Sequence, residues 1–420
     1  MIKPGYKMTD IGEIPEEWDA DKISTLKKSM YYGVTASATE ENTNLRFLRT
    51  TDITNYKFTQ NELPFCKITE KRSDLSKYYL KKNDIVVARA GTVGVSVLVK
   101  EDLKDTLFGS YLIKITLNQE KVNMSFVHYY FQSRLYWNKI SSAQGSTIKN
   151  INLPFLGSLV IPVPPLQEQQ KIAEILTTAD GKIDVIDKKI DAAERLKKGL
   201  MQTLLTIGIG HTKFKMTEIG EIPEEWAVKN LGDKEVSIIK MGQSPSSATY
   251  NKTGNGLPFL QGNAEFRFKY PSTSTYCSSP LKTASLGDIL ISVRAPVGDV
   301  NVANSEYCIG RGLTAIQPNQ KSIDSSFLYY MLNHLRPSFE RVSTGSTFKA
   351  IGKEQLHFQR IPFPPLLEQQ KIAEILTTAD RKIELLNKKR GEAERLKKGL
   401  MQILLTGQVR VKTDSPRGEN

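Results

Sequence analysis

One passage occurs twice in this chain. "PPLQEQQKIAEILTTAD" (164–180) returns as "PPLLEQQKIAEILTTAD" (364–380), with sixteen of its seventeen letters unchanged. Around it, "MTDIGEIPEEW" (8–18) returns as "MTEIGEIPEEW" (216–226), and "ERLKKGLMQ" (194–202) returns at 394–402. A period this long means duplicated domains, because solenoid repeats are much shorter. Each repeat is an entry segment, a body of roughly 140 residues and a helix of roughly 40.

The helices carry the clearest pattern. In the first, Ile172, Leu176, Ala179, Ile183, Ile186, Ile190 and Ala193 alternate in steps of four and three, followed by Leu196, Leu200 and Leu204. The second offers Ile372, Leu376, Ala379, Ile383, Leu386, Ala393, Leu396, Leu400 and Leu404. A stripe held this long on both copies predicts a coiled coil, whereas a helix packed only on its own domain seldom keeps so strict a seam. Pro165 and Pro365 suit a first helical turn, and Gly181 and Arg390 are local weak points. Only about 20 residues separate Thr206 from the second body, so the least strained path sends the second helix back antiparallel to the first. Forty residues of helix span about 60 Å.

The bodies read as mixed α/β and related, though strongly diverged. Each has an apolar run ending in Arg-Ala and a glycine turn, "NDIVVARAGTVG" (83–94) and "GDILISVRAPVG" (287–298), differing by one residue in the spacing after Arg89 and Arg294. Each then has an aromatic-rich helical stretch, expected to pack in the core, followed by "GSTIKNI" (145–151) or "GSTFKAI" (345–351). The expected fold is α+β, with two mixed α/β domains joined by a long antiparallel two-helix coiled coil in pseudo-twofold arrangement. The boundaries are 1–160, helix 161–206, 207–360, helix 361–406 and a tail 407–420.

Composition narrows the function. A chain of 420 residues exceeds one ordinary core, and 39% apolar with 25% charged residues is that of a soluble globular protein. There is no charged-then-apolar leader and no run of about 18 apolar residues, so no membrane association is expected. Cys66, Cys277 and Cys308 lie far apart without ligand spacing, which predicts neither disulfides nor zinc and fits a reducing cytoplasm. The net charge of +13 points to a polyanion. Residues 1–164 carry 22 Lys/Arg against 17 Asp/Glu and residues 207–364 carry 17 against 13, whereas 165–206 is neutral. Two basic readers on a fixed spacer suit duplex DNA, where readers on one face sit about 34–36 Å apart. Nearly identical helices with divergent bodies predict an asymmetric, split target with an unread spacer.

On these motifs the chain resembles the specificity (S) subunits of type I restriction-modification systems. The likeness runs almost end to end: "GSTIKNINLPFLGSLVIPVPPLQEQQKIAEIL" is similar to that family's passage from target-recognition domain into helix, "KMGQSPSSATY" (240–250) to its usual domain opening, and "LLTIGIGH" and "LLTGQVRV" to its helix exits. The first body lacks the Ser-Pro at "MYYGVTASATE" (30–40). The resemblance implies that each body is a target-recognition domain reading one half of a bipartite double-stranded site. It also implies that the paired helices dock two methyltransferase (M) subunits and that motor-nuclease (R) subunits join them. No cofactor is expected on this chain; S-adenosylmethionine, ATP and Mg are expected on the partner subunits. The sequence agrees by what it lacks. There is no Asn/Asp-Pro-Pro-Tyr/Phe element and no phosphate-binding loop, and "CIGRG" (308–312) is too short to be one. The other readings are a targeting subunit of a restriction system that cuts on both sides of its site, a coiled-coil scaffold binding nucleic acid without selection, and a self-sufficient methyltransferase.

Base reading needs bidentate donors, and positioning needs Lys, Ser/Thr and backbone N–H groups on phosphates. The candidates are Tyr31, Tyr32, Arg89, Thr92, Ser146, Thr147 and Lys149 in the first body. In the second they are Lys240, Gln243, Ser244, Gln261, Asn263, Arg294, Ser346, Thr347 and Lys349. Helix capping is the structural alternative for Ser146 and Ser346, an ion pair for the arginines, and packing for the tyrosines.

Overall fold

Runs such as "DIVVA" and "VSVLV" are rich in β-branched residues and bounded by Gly and Asn, which favours short buried strands. In the computed structural model, which describes residues 2–69, 74–144, 150–342 and 350–412, they are neighbouring strands of a four-stranded sheet. Its strands are β1 (Lys27–Tyr32), β2 (Ile85–Ala88), β3 (Ser96–Leu98) and β4 (Leu112–Leu117), in the antiparallel order β3-β2-β4-β1. One face, with Ile85, Val87, Ile113 and Ile115, packs on the aromatic helices, where Phe126, Tyr130, Phe131 and Tyr136 are buried as expected. The other face, with Val86, Ala88 and Leu112, packs on a five-stranded sheet.

A long helix follows, α1 (Leu166–Leu204), and then the same plan again. The second four-stranded sheet is β5 (Ser237–Met241), β6 (Ile289–Ser292), β7 (Val300–Val302) and β8 (Leu313–Pro318), in the order β7-β6-β8-β5. It matches the first strand for strand. The five-stranded sheets also correspond, each containing one parallel pair, Arg46–Leu48 with Leu103–Phe108 and Leu257–Leu260 with Tyr307–Ile309. Divergent sequences thus keep one topology. The chain closes with α2 (Leu366–Leu404), 39 residues long like α1.

Two compact units emerge, and neither is a single stretch of chain. One comprises Met1–Ile186 with Lys389–Asn420; the other is Asp187–Lys388. Each unit therefore holds the first half of one long helix and the last half of the other, and within each unit those halves run antiparallel. In the first unit, Ile172, Ala173 and Leu176 share a core with Leu400, Met401 and Leu404. In the second, Ile372, Ala373 and Leu376 share one with Leu200, Met201 and Leu204.

The seam residues behave as the periodicity predicts along most of their length. Ile172, Leu176, Ile190, Ile372, Leu376 and Ile383 are buried, and Ile183, Ile186, Leu200, Leu386 and Leu400 are half-buried. Leu196 and Leu396, which continue the stripe in sequence, are instead 60% and 61% exposed. At this level the facing position is taken by the next residue, Lys197 or Lys397, which reaches an aspartate. Neither helix breaks at Gly181 or Arg390.

The repeated letters do more than form a seam. Pro165 caps α1, its C=O accepting the Glu168 and Gln169 N–H groups at 2.9 and 3.0 Å. Glu168 accepts the Trp18 indole N–H at 2.9 Å, and Glu368 accepts that of Trp226 at 2.9 Å. Gln169 donates to the Pro164 and Lys121 carbonyls and accepts the Asn123 N–H; Gln369 does the same with Pro364, Ser322 and Asp324. Asp180 accepts the Tyr129 hydroxyl at 2.8 Å and pairs with Lys397 at 2.7 Å. Asp380 accepts the Tyr330 hydroxyl at 2.7 Å and pairs with Lys197 at 2.5 Å. Burial raises the pKa of both tyrosines, so these hydroxyls stay protonated donors. Each of these repeated polar side chains thereby has a partner, which is what makes its burial tolerable.

Candidate nucleic-acid interface

The turns at the ends of β2 and β6 hold three of the expected contact residues, Arg89, Thr92 and Arg294. After β2 the chain leaves through Arg89 and returns to β3 by way of the Gly94 N–H, which donates to the Ala88 carbonyl at 2.8 Å. Gly94 has φ +89°, and a Cβ there would lie 3.1 Å from Ile140 and 3.3 Å from Trp137. After β6 the Gly298 N–H donates to the Ser292 carbonyl at 2.9 Å, and Gly298 has φ +86° with Arg336 and Phe339 pressed against it. The two turns are equal in length. Arg89 donates to the Tyr111 carbonyl and accepts the Ile151 N–H, and these roles fall in the second body to Val293, bonded to Gly312 and Ile351. Arg294 therefore occupies the place of Ala90. The spacing difference seen in the sequence is not a deletion but a one-residue displacement of the arginine.

Because strand side chains alternate, one residue of displacement changes faces. Arg89 continues the face of Ile85 and Val87, beside β1; its guanidinium lies 4.6 Å from the centre of the Tyr32 ring. The Tyr32 hydroxyl accepts the Leu153 N–H at 3.1 Å, which fixes that ring. Arg294 continues the face of Leu290, is exposed, and forms a backbone bridge with Ala350. Thr92 is exposed on its turn. Tyr31 faces away from Tyr32, is 37% exposed, and has Lys77 5.6 Å from its ring.

Lys240 occupies the place of Tyr31, since each pairs with the corresponding residue of the neighbouring strand, Ala315 and Lys114. Burial raises the pKa of Asp288, and the Ser285 N–H, which donates to it at 2.9 Å, and the charge of Lys240 oppose that rise. The first body solves the same problem from the middle strand: Asp84, likewise buried, lies 3.5 Å from Lys114, which donates to the Tyr79 carbonyl. Gln243, Ser244 and Gln261 come together. The Ser244 hydroxyl accepts the Arg311 N–H at 3.1 Å and the Gln261 side-chain amide at 3.4 Å. Gly310 and Gly312 of "CIGRG" are needed here because the Gln261 backbone approaches so closely that a Cβ at Gly312 would lie 2.6 Å from its carbonyl oxygen. Asn263 stands apart, donating to Asp299 at 2.6 Å, which pairs with Arg336 at 2.7 Å. Ser146, Thr147, Lys149, Ser346, Thr347 and Lys349 lie outside the described residues.

Other residues of the right kind were not singled out from sequence. Tyr111 is 65% exposed beside Arg89, and Phe268 and Tyr270 are exposed among Arg267 and Lys269. The run "FRFKY" (266–270), basic residues interleaved with aromatics, is the signal that would have found the latter pair.

A model of the type I restriction modification DNA specificity domain matches residues 6–195 and 223–395, one match for each repeat. The chain belongs to the type I restriction-modification DNA specificity family. A protein of Methanocaldococcus jannaschii, provisionally named as the MjaX type I restriction enzyme specificity subunit, is 39% identical over 97% of each chain. The MjaVIII specificity subunit of the same organism is 29% identical over 83% of each. A solved chain of a type I R-M system, studied for complex assembly and conformational transition, superposes with TM-score 0.60 at 27% identity, covering 94% of this chain and 99% of that one. The S subunit from M. genitalium shares the fold, with TM-score 0.57 at 18% identity, covering 96% of this chain and 98% of that one. This specificity subunit thus has two recognition domains of one topology, each followed by a long helix. Among the described residues no cluster of His, Cys, Asp or Glu could hold a metal ion, and no helix is long and apolar enough to cross a membrane.

Proposed function

We propose that each recognition domain reads one half of an asymmetric, split site in double-stranded DNA, and that the subunit does so without an active site of its own. One observation carries this reading: a single topology has different chemistry at matched positions, Arg89 against Val293 and Tyr31 against Lys240, while the 39-residue helices share 29 letters. A common frame with unlike contact residues is what two different half-sites require. On this reading residues 1–160 and 207–360 are the readers, 161–206 and 361–406 set the unread spacer, and 407–420 is a tail.

The helices also offer docking surface for two methyltransferase subunits, which motor-nuclease subunits join. Val185 and Leu396 in one unit, and Leu385 and Leu196 in the other, are apolar yet 52%, 61%, 52% and 60% exposed. The same pair occurring twice suits two copies of one partner. S-adenosylmethionine belongs on the methyltransferase, and ATP and Mg on the motor, in the cytoplasm. The test is methylome sequencing of a cell carrying this chain with its methyltransferase. The expected result is a two-part, asymmetric motif with a fixed gap; a continuous motif overturns the reading.

A further inference from the structure

We propose that Arg89 is a base-reading donor of the first recognition domain, held by the Tyr32 ring for the O6/N7 edge of a guanine, and that the second domain has no counterpart to it. The proposal rests on the reading above, that each domain recognises half of a DNA site. Three observations on one residue support it. Its backbone is pinned on both sides, by the Tyr111 carbonyl and the Ile151 N–H, each at 2.9 Å. Its guanidinium lies over a ring, 4.6 Å from the ring centre, that is itself tied to Leu153. Its Nε is buried with no hydrogen-bond partner among the described residues.

Among the described residues Arg89 has no carboxylate partner, and its buried Nε–H is unpaired. The buried Nε faces the protein, so the base edge would be met by the terminal guanidinium nitrogens. A structural arginine in this protein looks different: Arg49 chelates Asp52 and Arg410 chelates Glu168. The planar fork of a guanidinium matches the two acceptors of guanine in the major groove. Contact with the ring also removes in advance much of the rotamer freedom that a long side chain loses on binding.

The second domain shows what the site is without this device. Val293 fills the equivalent position and is buried in the helical core. Arg294, one residue on, is exposed on the other face, with no ring beneath it among the described residues. On this assignment it meets phosphates and carries no base information.

The test uses the full chain with its methyltransferase, comparing methylation motifs and the binding of a cognate and a random duplex. Arg89→Lys keeps the charge and removes the fork. It is expected to relax one guanine position in one half-site and to reduce discrimination against the substituted base by about 10- to 100-fold, with random-duplex binding unchanged. Tyr32→Leu is expected to relax the same position, and Tyr32→Phe, which keeps the ring, to leave it intact. Arg294→Ala is expected to weaken cognate and random duplexes alike. A wild-type motif in Arg89→Lys, a change in both half-sites, or equal loss on both duplexes overturns the assignment. If the wild-type chain directs no two-part motif, the half-site reading fails and the Arg89 assignment falls with it; an intact wild-type motif that Arg89→Lys leaves unaltered overturns the assignment alone.

Discussion

Trp18 and Trp226 show how one side chain joins three parts of this chain. Both are fully buried, and each gives its indole N–H to the glutamate at the start of a long helix. The third partner differs. Arg410 of the tail chelates Glu168 at 2.8 and 2.9 Å, whereas Glu368 receives His211 at 2.8 Å and the Ile209 N–H. Trp18→Phe keeps the apolar bulk and removes one donor, so it should cost about 1–2 kcal/mol, read by urea denaturation. His128 makes a second residue-scale prediction. Burial lowers its pKa from 6.5 to about 4, so the folded protein holds it neutral while the unfolded chain takes up a proton. Its contribution is therefore full above about pH 6.5 and is lost as the pH falls toward 4, by no more than about 3 kcal/mol. His128→Gln should flatten that part of the stability profile; an unchanged acid limb would contradict the assignment.

At the scale of elements, the long helices are held by their polar residues as much as by their seam. Asp180 and Lys397 in one unit, and Asp380 and Lys197 in the other, sit where the leucine stripe turns outward. An apolar seam tolerates slippage, and a partly buried charge pair at one level specifies register. Removing Lys397 leaves Asp180 with the Tyr129 hydroxyl but without its cation, so Lys397→Met should cost about 1–2 kcal/mol, and a double-mutant cycle with Asp180→Leu should show coupling of similar size. Gly199 and Gly399 lie within the helices with open space around them. Gly199→Ala should raise stability by about 0.5–1 kcal/mol, seen as a higher midpoint in thermal unfolding.

For the whole molecule, the charge of +13 and the two recognition domains make salt the informative variable. If six phosphates are neutralised, affinity for duplex should fall about 10³-fold between 50 and 200 mM salt. A flat titration would remove DNA from the list of partners. Leu196→Ser with Leu396→Ser should leave unfolding unchanged and weaken assembly with the methyltransferase, as measured by co-sedimentation. Exchange of residues 207–360 with a relative's should transfer one half of the motif and leave the other.

Much of this was legible in the letters because repetition and periodicity are local properties. The duplicated entry segments, the helix seam from Ile172 to Ile190 and the α+β bodies all follow from sequence, since a 3.6-residue stripe or an apolar run bounded by glycine is set by neighbours along the chain. Register across strands is not local. Aligned by letters, Arg89 and Arg294 are partners; in the folded sheets they are one residue apart and on opposite faces, because hydrogen bonds to Tyr111 and Gly312 set the alignment. Likewise the sequence marked "EQQKIAEILTTAD" as important through its repetition. Only the packing assigned Glu168 to a tryptophan 150 residues away, Gln169 to the cap of a neighbouring helix, and Asp180 to a tyrosine and a lysine that belong to different repeats. Such contacts depend on which surfaces the fold brings together, and tertiary structure alone decides that.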